Sequence, residues 1–291
     1  MRLGDLLLTD EDRAEAPGAF ARIRRDPALA PLVAERIARV RGWIGRVEEE
    51  PPPARQPLDG PHTAGPRHRP PAPPHPEEPA ADALVFAETA EAARAHHRRR
   101  GIPARASADS LAELGRQARL YRRSSGGRFG IDTPGWLLRT WTGRIVTLGR
   151  LQAEHLSPGA VTLHIPESGP LHPHAVDESL AALGEPGGWA RWFGEPPRRI
   201  ECHSWLLDPA LREALPAESN ILRFQRRFEP ADGAGPDAPA DEDVVYFVFG
   251  VRPPVDLSTL PCRSRLQHAV VERLLTGGHW HARRGVLRDR P

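Results

Sequence analysis

The side chains best suited to moving a proton lie between Arg150 and His164, where RLQAEHLSPGAVTLH reads as two short strands around a Ser157-Pro158-Gly159 turn signal. A turn centred near Pro158 sets Gln152 opposite His164 and Glu154 opposite Thr162. Strand side chains alternate, so Leu151, Ala153, Val161, Leu163 and Ile165 share one face and Arg150, Gln152, Glu154, Thr162 and His164 share the other. The first set is core. The second is either a solvated face or the floor of a site. A histidine exchanges a proton near neutral pH, and Glu154, diagonal to His164, can orient the ring or act in its place. A half-exposed polar face without chemical duty weighs as much for His164 and more for Glu154.

A second set follows on Arg199 to Leu207, which alternates as a strand with Ile200, Cys202, Ser204 and Leu206 on one face and Glu201, His203, Trp205 and Leu207 on the other. Cys202 and Ser204 are its potential proton donors. A cysteine on an apolar strand is more often buried and inert than nucleophilic. A metal centre built from His155, His164 and His203 needs all three to converge, and by these faces His164 shares parity with neither partner, so no metal is expected.

The elements that must position these groups are bounded by composition. The chain has 291 residues and is 39% hydrophobic, enough for one large domain or two ordinary ones with a real core. Its 40 basic residues, all Arg, nearly balance 38 acidic ones, giving a net charge of +2, which argues against an obligatory nucleic-acid partner. No apolar run approaches a membrane span, the N-terminus lacks a signal core, and there are two cysteines, Cys202 and Cys262. A cytoplasmic protein that engages no membrane is the expectation.

Along the chain, residues 1–50 read as a helical segment, with Leu29, Leu32, Val33, Ile37, Val40 and Ile44 at helical spacing behind Asp26-Pro27. Residues 51–82 hold twelve prolines and almost no large apolar side chain, the composition of an extended linker. Its His62, His68 and His75 are too irregularly spaced for a metal tract. Residues 83–130 resume helical patterning, from about Thr89 to Arg100 and from Asp109 to Tyr121, with His96 to Arg100 expected as a solvated helix end. Ser124 to Gly135 is a turn-rich connector without a P-loop lysine. From 131 to 291 strands dominate: Trp136–Trp141, Ile145–His155, Ala160–Pro166, Arg199–Leu207, a hairpin of Ile221–Glu229 with Val244–Phe249, and a last strand near His281–Leu287. Helices are expected over Ala175–Phe193, Pro209–Leu215 and Arg263–Leu275.

The order strand, hairpin, helical crossover, strand makes Ala160–Pro166 and Arg199–Leu207 parallel neighbours in a mostly antiparallel sheet. This α+β order resembles the GNAT acyltransferase fold, and LGRLQAEH, HIPESGPL, CHSWLLDP and SNILRFQ are similar to the GNAT-like C-terminal domain of bacterial acyltransferases that carry a helical N-terminal domain. The resemblance implies direct transfer of an acyl group from acetyl-CoA or another acyl-CoA to the amine of a small molecule or peptide. It places acyl-CoA in a gap between the two parallel strands, with its pyrophosphate on the N-terminus of the crossover helix. Carried over, Ser168, Gly169 and His174 would hold the cofactor and backbone N–H groups near Ile165 would polarise the carbonyl. His164 or Glu154 would deprotonate the amine, Cys202 or Ser204 would protonate the leaving thiolate, and Gln152 and Asn220 would reach the acceptor. The loop 167–174 departs from the fold's Q-x-x-G-x-G/A signature, having one Gly, two Pro and Glu167. The competing expectation is a non-catalytic GNAT-like module that binds or regulates a partner.

Overall fold

The computed structural model describes residues 3–49, 75–184, 188–231 and 237–288. They form two compact units that divide between Thr147 and Leu148.

The first unit is helical: α1 (Asp10–Arg25), α2 (Leu29–Trp43), α3 (Glu78–Arg100), α4 (Ala104–Leu111), α5 (Glu113–Ser124) and α6 (Pro134–Trp141). Thr9 Oγ1 accepts the Asp12 N–H to start α1, and Asp26 Oδ1 accepts the Ala28 and Leu29 N–H groups to start α2. Gly101, at φ 78°, closes α3 in the left-handed conformation that a glycine adopts without strain. Phe20, Ile23, Leu84, Phe86, Leu111, Leu114 and Trp141 form its core, with the Phe86 ring edge-on to Trp141. Arg36 bridges Glu78 and Asp82 across the buried α2–α3 contact.

Three expectations are corrected here. Trp136–Trp141 is helix, because Thr133 and Pro134 start a turn there and the apolar Trp136, Leu137, Leu138 and Trp141 of this six-residue segment fit either period. The helix expected from Asp109 to Tyr121 is two helices, and Ser110, inside the first, donates its hydroxyl to Ala106 O and accepts the Thr147 N–H. His96 and His97 are buried rather than solvated, leaving only the arginines that follow at the surface. Most of the proline-rich stretch, with His62 and His68, lies outside the described residues, while His75 lies 3.8 Å from Asp26.

Strand β1 (Ile145–Leu148) runs across the division, and the second unit continues with β2 (Leu151–Ser157), β3 (Ala160–His164), α7 (Pro173–Gly184), α8 (Trp189–Phe193), β4 (Arg199–Ser204), α9 (Leu211–Ala214), α10 (Asn220–Gln225), β5 (Phe228–Pro230), β6 (Ala238–Pro239), α11 (Asp241–Phe249), α12 (Arg265–Leu275) and β7 (His281–Leu287). The fold is α+β. Its strands lie in the order β2-β3-β4-β7-β5, with β6 also on β7. Pairing of β3 with β4 is parallel and spans the α7–α8 crossover; the other described pairs are antiparallel. The hairpin register is the one the turn dictates, Gln152 opposite His164 and Glu154 opposite Thr162.

The hairpin expected from Ile221–Glu229 and Val244–Phe249 is absent among the described residues. Ser219 Oγ accepts the Leu222 N–H and starts α10, so only Phe228–Pro230 remains a strand. Asp241, Glu242 and Asp243 occupy the first turn of α11, where acidic groups suit the helix dipole, and Gly250 ends it at φ 72°. The strand partner that hairpin lacked is β7, which inserts between β4 and β5.

Candidate active site

The hairpin and the strand beyond the crossover make a wedge. Its closed end is Gly159, at φ 71°, whose carbonyl accepts the N–H groups of Arg198 (2.7 Å) and Arg199 (2.9 Å) and so pins the turn to the start of β4. From there the parallel register runs Ala160 with Arg199 to Leu163 with Cys202 and, among the described residues, no further, although β3 continues to His164 and β4 to Ser204. The described pairing of the two strands ends beside His164.

His164 Nε2 lies 2.8 Å from Glu154 Oε2, linking the two polar residues that the register brings to one face. Glu154 and Gln152 are each only 1% exposed and His164 is half-buried, so this face is no solvated surface. A carboxylate is acceptor-only, so a proton on Nε2 satisfies this bond. The arrangement is a half-buried imidazole bonded to a buried carboxyl group, a pairing of groups that can exchange a proton.

The parallel register also sorts the residues of β4. Leu163 pairs with Cys202, so Cys202 belongs to the core face with Val161 and Leu163. It is fully buried, and burial pushes its thiol up to about 12. Cys202, expected as a possible proton donor to the leaving thiolate, thus lies across the sheet from His164. Ser204 follows the parity of Cys202, and its Oγ accepts the Leu206 N–H to start the turn of 3-10 helix after β4. Glu201 and His203 lie instead on the face of His164, which also corrects the expected parity between His164 and His203. Glu201 pairs with Arg199 and lies 3.7 Å from Arg284. Burial foremost, then Arg284, lower the pKa of His203, against opposing contributions from the Ala282 backbone, Asp237 and Glu201. His155 sits on the core face, stacked on Phe193 at 4.9 Å. No cluster of three metal-ligating side chains occurs among the described residues.

Beyond the wedge, Ile165 leads into the loop before α7. Ser168, Gly169 and His174 are exposed there, with Gly169 at φ 115° and the His174 ring stacked on His172 at 5.7 Å. Asn220, the first residue of α10, joins the same loop through Nδ2, 3.3 Å from His172 Nδ1. Gln152, by contrast, is buried beside His164. Arg150, identified from sequence only as a polar-face residue, proves to hold the loop: Nε donates to Pro170 O (3.1 Å), and its two terminal nitrogens to Pro166 O (3.0 Å) and Gly169 O (2.7 Å). The position of Arg150 just after a Gly turn was the only sequence signal for this, and long-range contacts to carbonyls leave no mark on periodicity.

Residues 132–287 match the family described as GNAT-like C-terminal domain, and residues 2–143 match the N-acyltransferase N-terminal domain. Among solved structures the chain is similar to an acyltransferase in complex with decanoyl-CoA, at 29% identity and TM-score 0.79 over 98% of this chain and 85% of that one. It is similar also to a mutant acyltransferase in complex with octanoyl-CoA, at 30% identity and TM-score 0.82 over 99% and 86%. A third, an acyltransferase in complex with decanoyl-CoA and teicoplanin, is 32% identical with TM-score 0.78 over 98% and 85%. No curated protein sequence matches the chain. No described helix is long and apolar enough to cross a membrane. One domain family spans more than half of the chain and relatives of about 30% identity align with nearly all of it, so the protein belongs to the acyl-CoA-dependent N-acyltransferases that join an N-acyltransferase N-terminal domain to a GNAT-like C-terminal domain.

Proposed function

We propose that the protein transfers a medium-length acyl chain from acyl-CoA directly to an amine on a small glycopeptide-like acceptor, with His164 as the base and Glu154 as the residue that orients it. The carrying observation is the 2.8 Å His164–Glu154 bond at the point where β3 and β4 stop pairing. A thioester threaded between the parted strands brings its carbonyl beside the imidazole. The amine nitrogen attacks the carbonyl carbon, its proton passes to His164, and collapse of the tetrahedral intermediate breaks the C–S bond. The thiolate leaves and takes up one proton, so the products are an amide and free CoA. Backbone N–H groups near Ile165 are the candidate donors to the oxyanion. Ser168, Gly169 and His174, with the first turn of α7, are the candidate phosphate site, where unpaired N–H groups favour an anion. Asn220 reaches this loop and is the candidate acceptor-side contact. The relatives' octanoyl-CoA, decanoyl-CoA and teicoplanin support the chain length and acceptor class.

The test is thiol release and product mass with octanoyl-CoA or decanoyl-CoA and a teicoplanin-type amine. His164→Ala is expected to lower kcat by about 10²–10⁴, the range of a general base, and Glu154→Gln by less. Wild-type turnover that survives unchanged in His164→Ala would remove His164 from the mechanism.

A further inference from the structure

We propose that Arg150 is a positioning residue for the acyl-CoA donor: its guanidinium fixes the Pro166–Pro170 loop so that the loop presents N–H groups, rather than carbonyls, to the phosphates. The inference rests on the reading of this loop as the phosphate site.

Three peptide carbonyls, those of Pro166, Gly169 and Pro170, turn toward one guanidinium at 2.7–3.1 Å. In a planar trans peptide the N–H points opposite to the C=O. The N–H groups of Glu167 and Leu171, which share peptides with the Pro166 and Pro170 carbonyls, are therefore directed away from Arg150. Without the cation, the Gly169 and Pro170 carbonyls would be free to swing outward and repel an anion, while the Pro166 carbonyl would keep only the Ser168 N–H at 2.8 Å. The usual way to shape such a loop is glycine freedom, and this one has a single Gly between two prolines. The guanidinium supplies the missing constraint.

Arg150 is itself held. Its backbone N–H and that of Leu151 donate to Ser179 Oγ of α7, at 2.9 and 3.3 Å, while that hydroxyl donates to Ala175 O. One residue thus joins the start of β2 both to the loop and to the helix that follows it. Three of the five guanidinium N–H groups are used, and the remaining two have no acceptor among the described residues, so the charge also remains available to a nearby phosphate.

The test compares kcat/KM for octanoyl-CoA and for S-octanoyl-pantetheine, which carries the same thioester but no phosphate, at a fixed amine concentration. Wild type is expected to prefer octanoyl-CoA. Arg150→Met should lower kcat/KM for octanoyl-CoA by about 30-fold, chiefly through KM, and leave the pantetheine thioester within about twofold. Arg150→Lys, which cannot fork to three carbonyls, should fall between the two and serves if the Met variant does not fold. Equal losses with both donors, or no loss with either, would overturn the positioning role while wild-type preference for octanoyl-CoA left the phosphate reading standing. A wild type that turns over both donors equally well would remove the phosphate reading and this inference with it.

Discussion

Cys202 is fully buried and its thiol is pushed up to about 12, far from the thiolate that covalent catalysis requires at neutral pH. Direct transfer through His164 needs no such nucleophile. Cys202→Ala is expected to keep kcat within about twofold and to cost about 1 kcal/mol of stability, as a small deletion from a packed face does. Intact mass spectrometry during turnover should find no acylated enzyme. An acyl adduct that forms in the wild type and disappears in Cys202→Ala would reinstate the covalent route. The His164–Glu154 pair was legible because strand alternation and a short turn fix which residues meet; the burial that decides between a site and a solvated face depends on elements distant in sequence, and Arg150 was missed for the same reason.

At the scale of elements, the wedge depends on one end being fastened while the other opens. Gly159 fastens it, through a carbonyl that accepts two N–H groups from the start of β4 and a left-handed φ of 71°. A Cβ there would stand 2.8 Å from the Arg198 side chain. Gly159→Val combines a β-branched residue at positive φ with that contact and should destabilise the protein by about 1–3 kcal/mol. A urea midpoint equal to that of the wild type would show the turn to be dispensable. The turn itself is readable as Ser-Pro-Gly, whereas α6, α10 and α11 read as strands because short segments of six to nine residues with interleaved apolar side chains satisfy either period. Their caps carried the missing information: Pro134, Ser219, and the acidic triplet before Val244 with Gly250 behind it. The insertion of β7 between β4 and β5 has no local signature, since pairing between strands about 80 and about 55 residues apart in sequence is chosen by the assembled sheet.

The whole molecule carries a net charge of only +2 at pH 7, so its first response to acid is set by the particular groups that titrate just below neutral pH. In the helical unit, burial lowers His96 and His97 to about 4, aided by Arg100 and Arg99 at His96 and by His96 and Arg94 at His97. Gly143, at φ 84°, lies against the His96 ring, and His97 Nδ1 lies 2.9 Å from Ser107 Oγ. Both rings fold neutral, whereas the unfolded chain takes up their protons near 6.5. The unfolded state thus binds more protons between 6.5 and 4, and stability that is fully present above 6.5 is lost as pH falls through this window. By pH 5 the loss should reach about 2 kcal/mol for each histidine, before the ion-paired carboxylates begin to protonate. Urea denaturation at pH 7 and pH 5 measures it. His97→Gln should flatten the pH dependence by roughly half, and a wild-type midpoint that does not move between the two pH values would mean that the rings are hydrated or already charged in the folded protein.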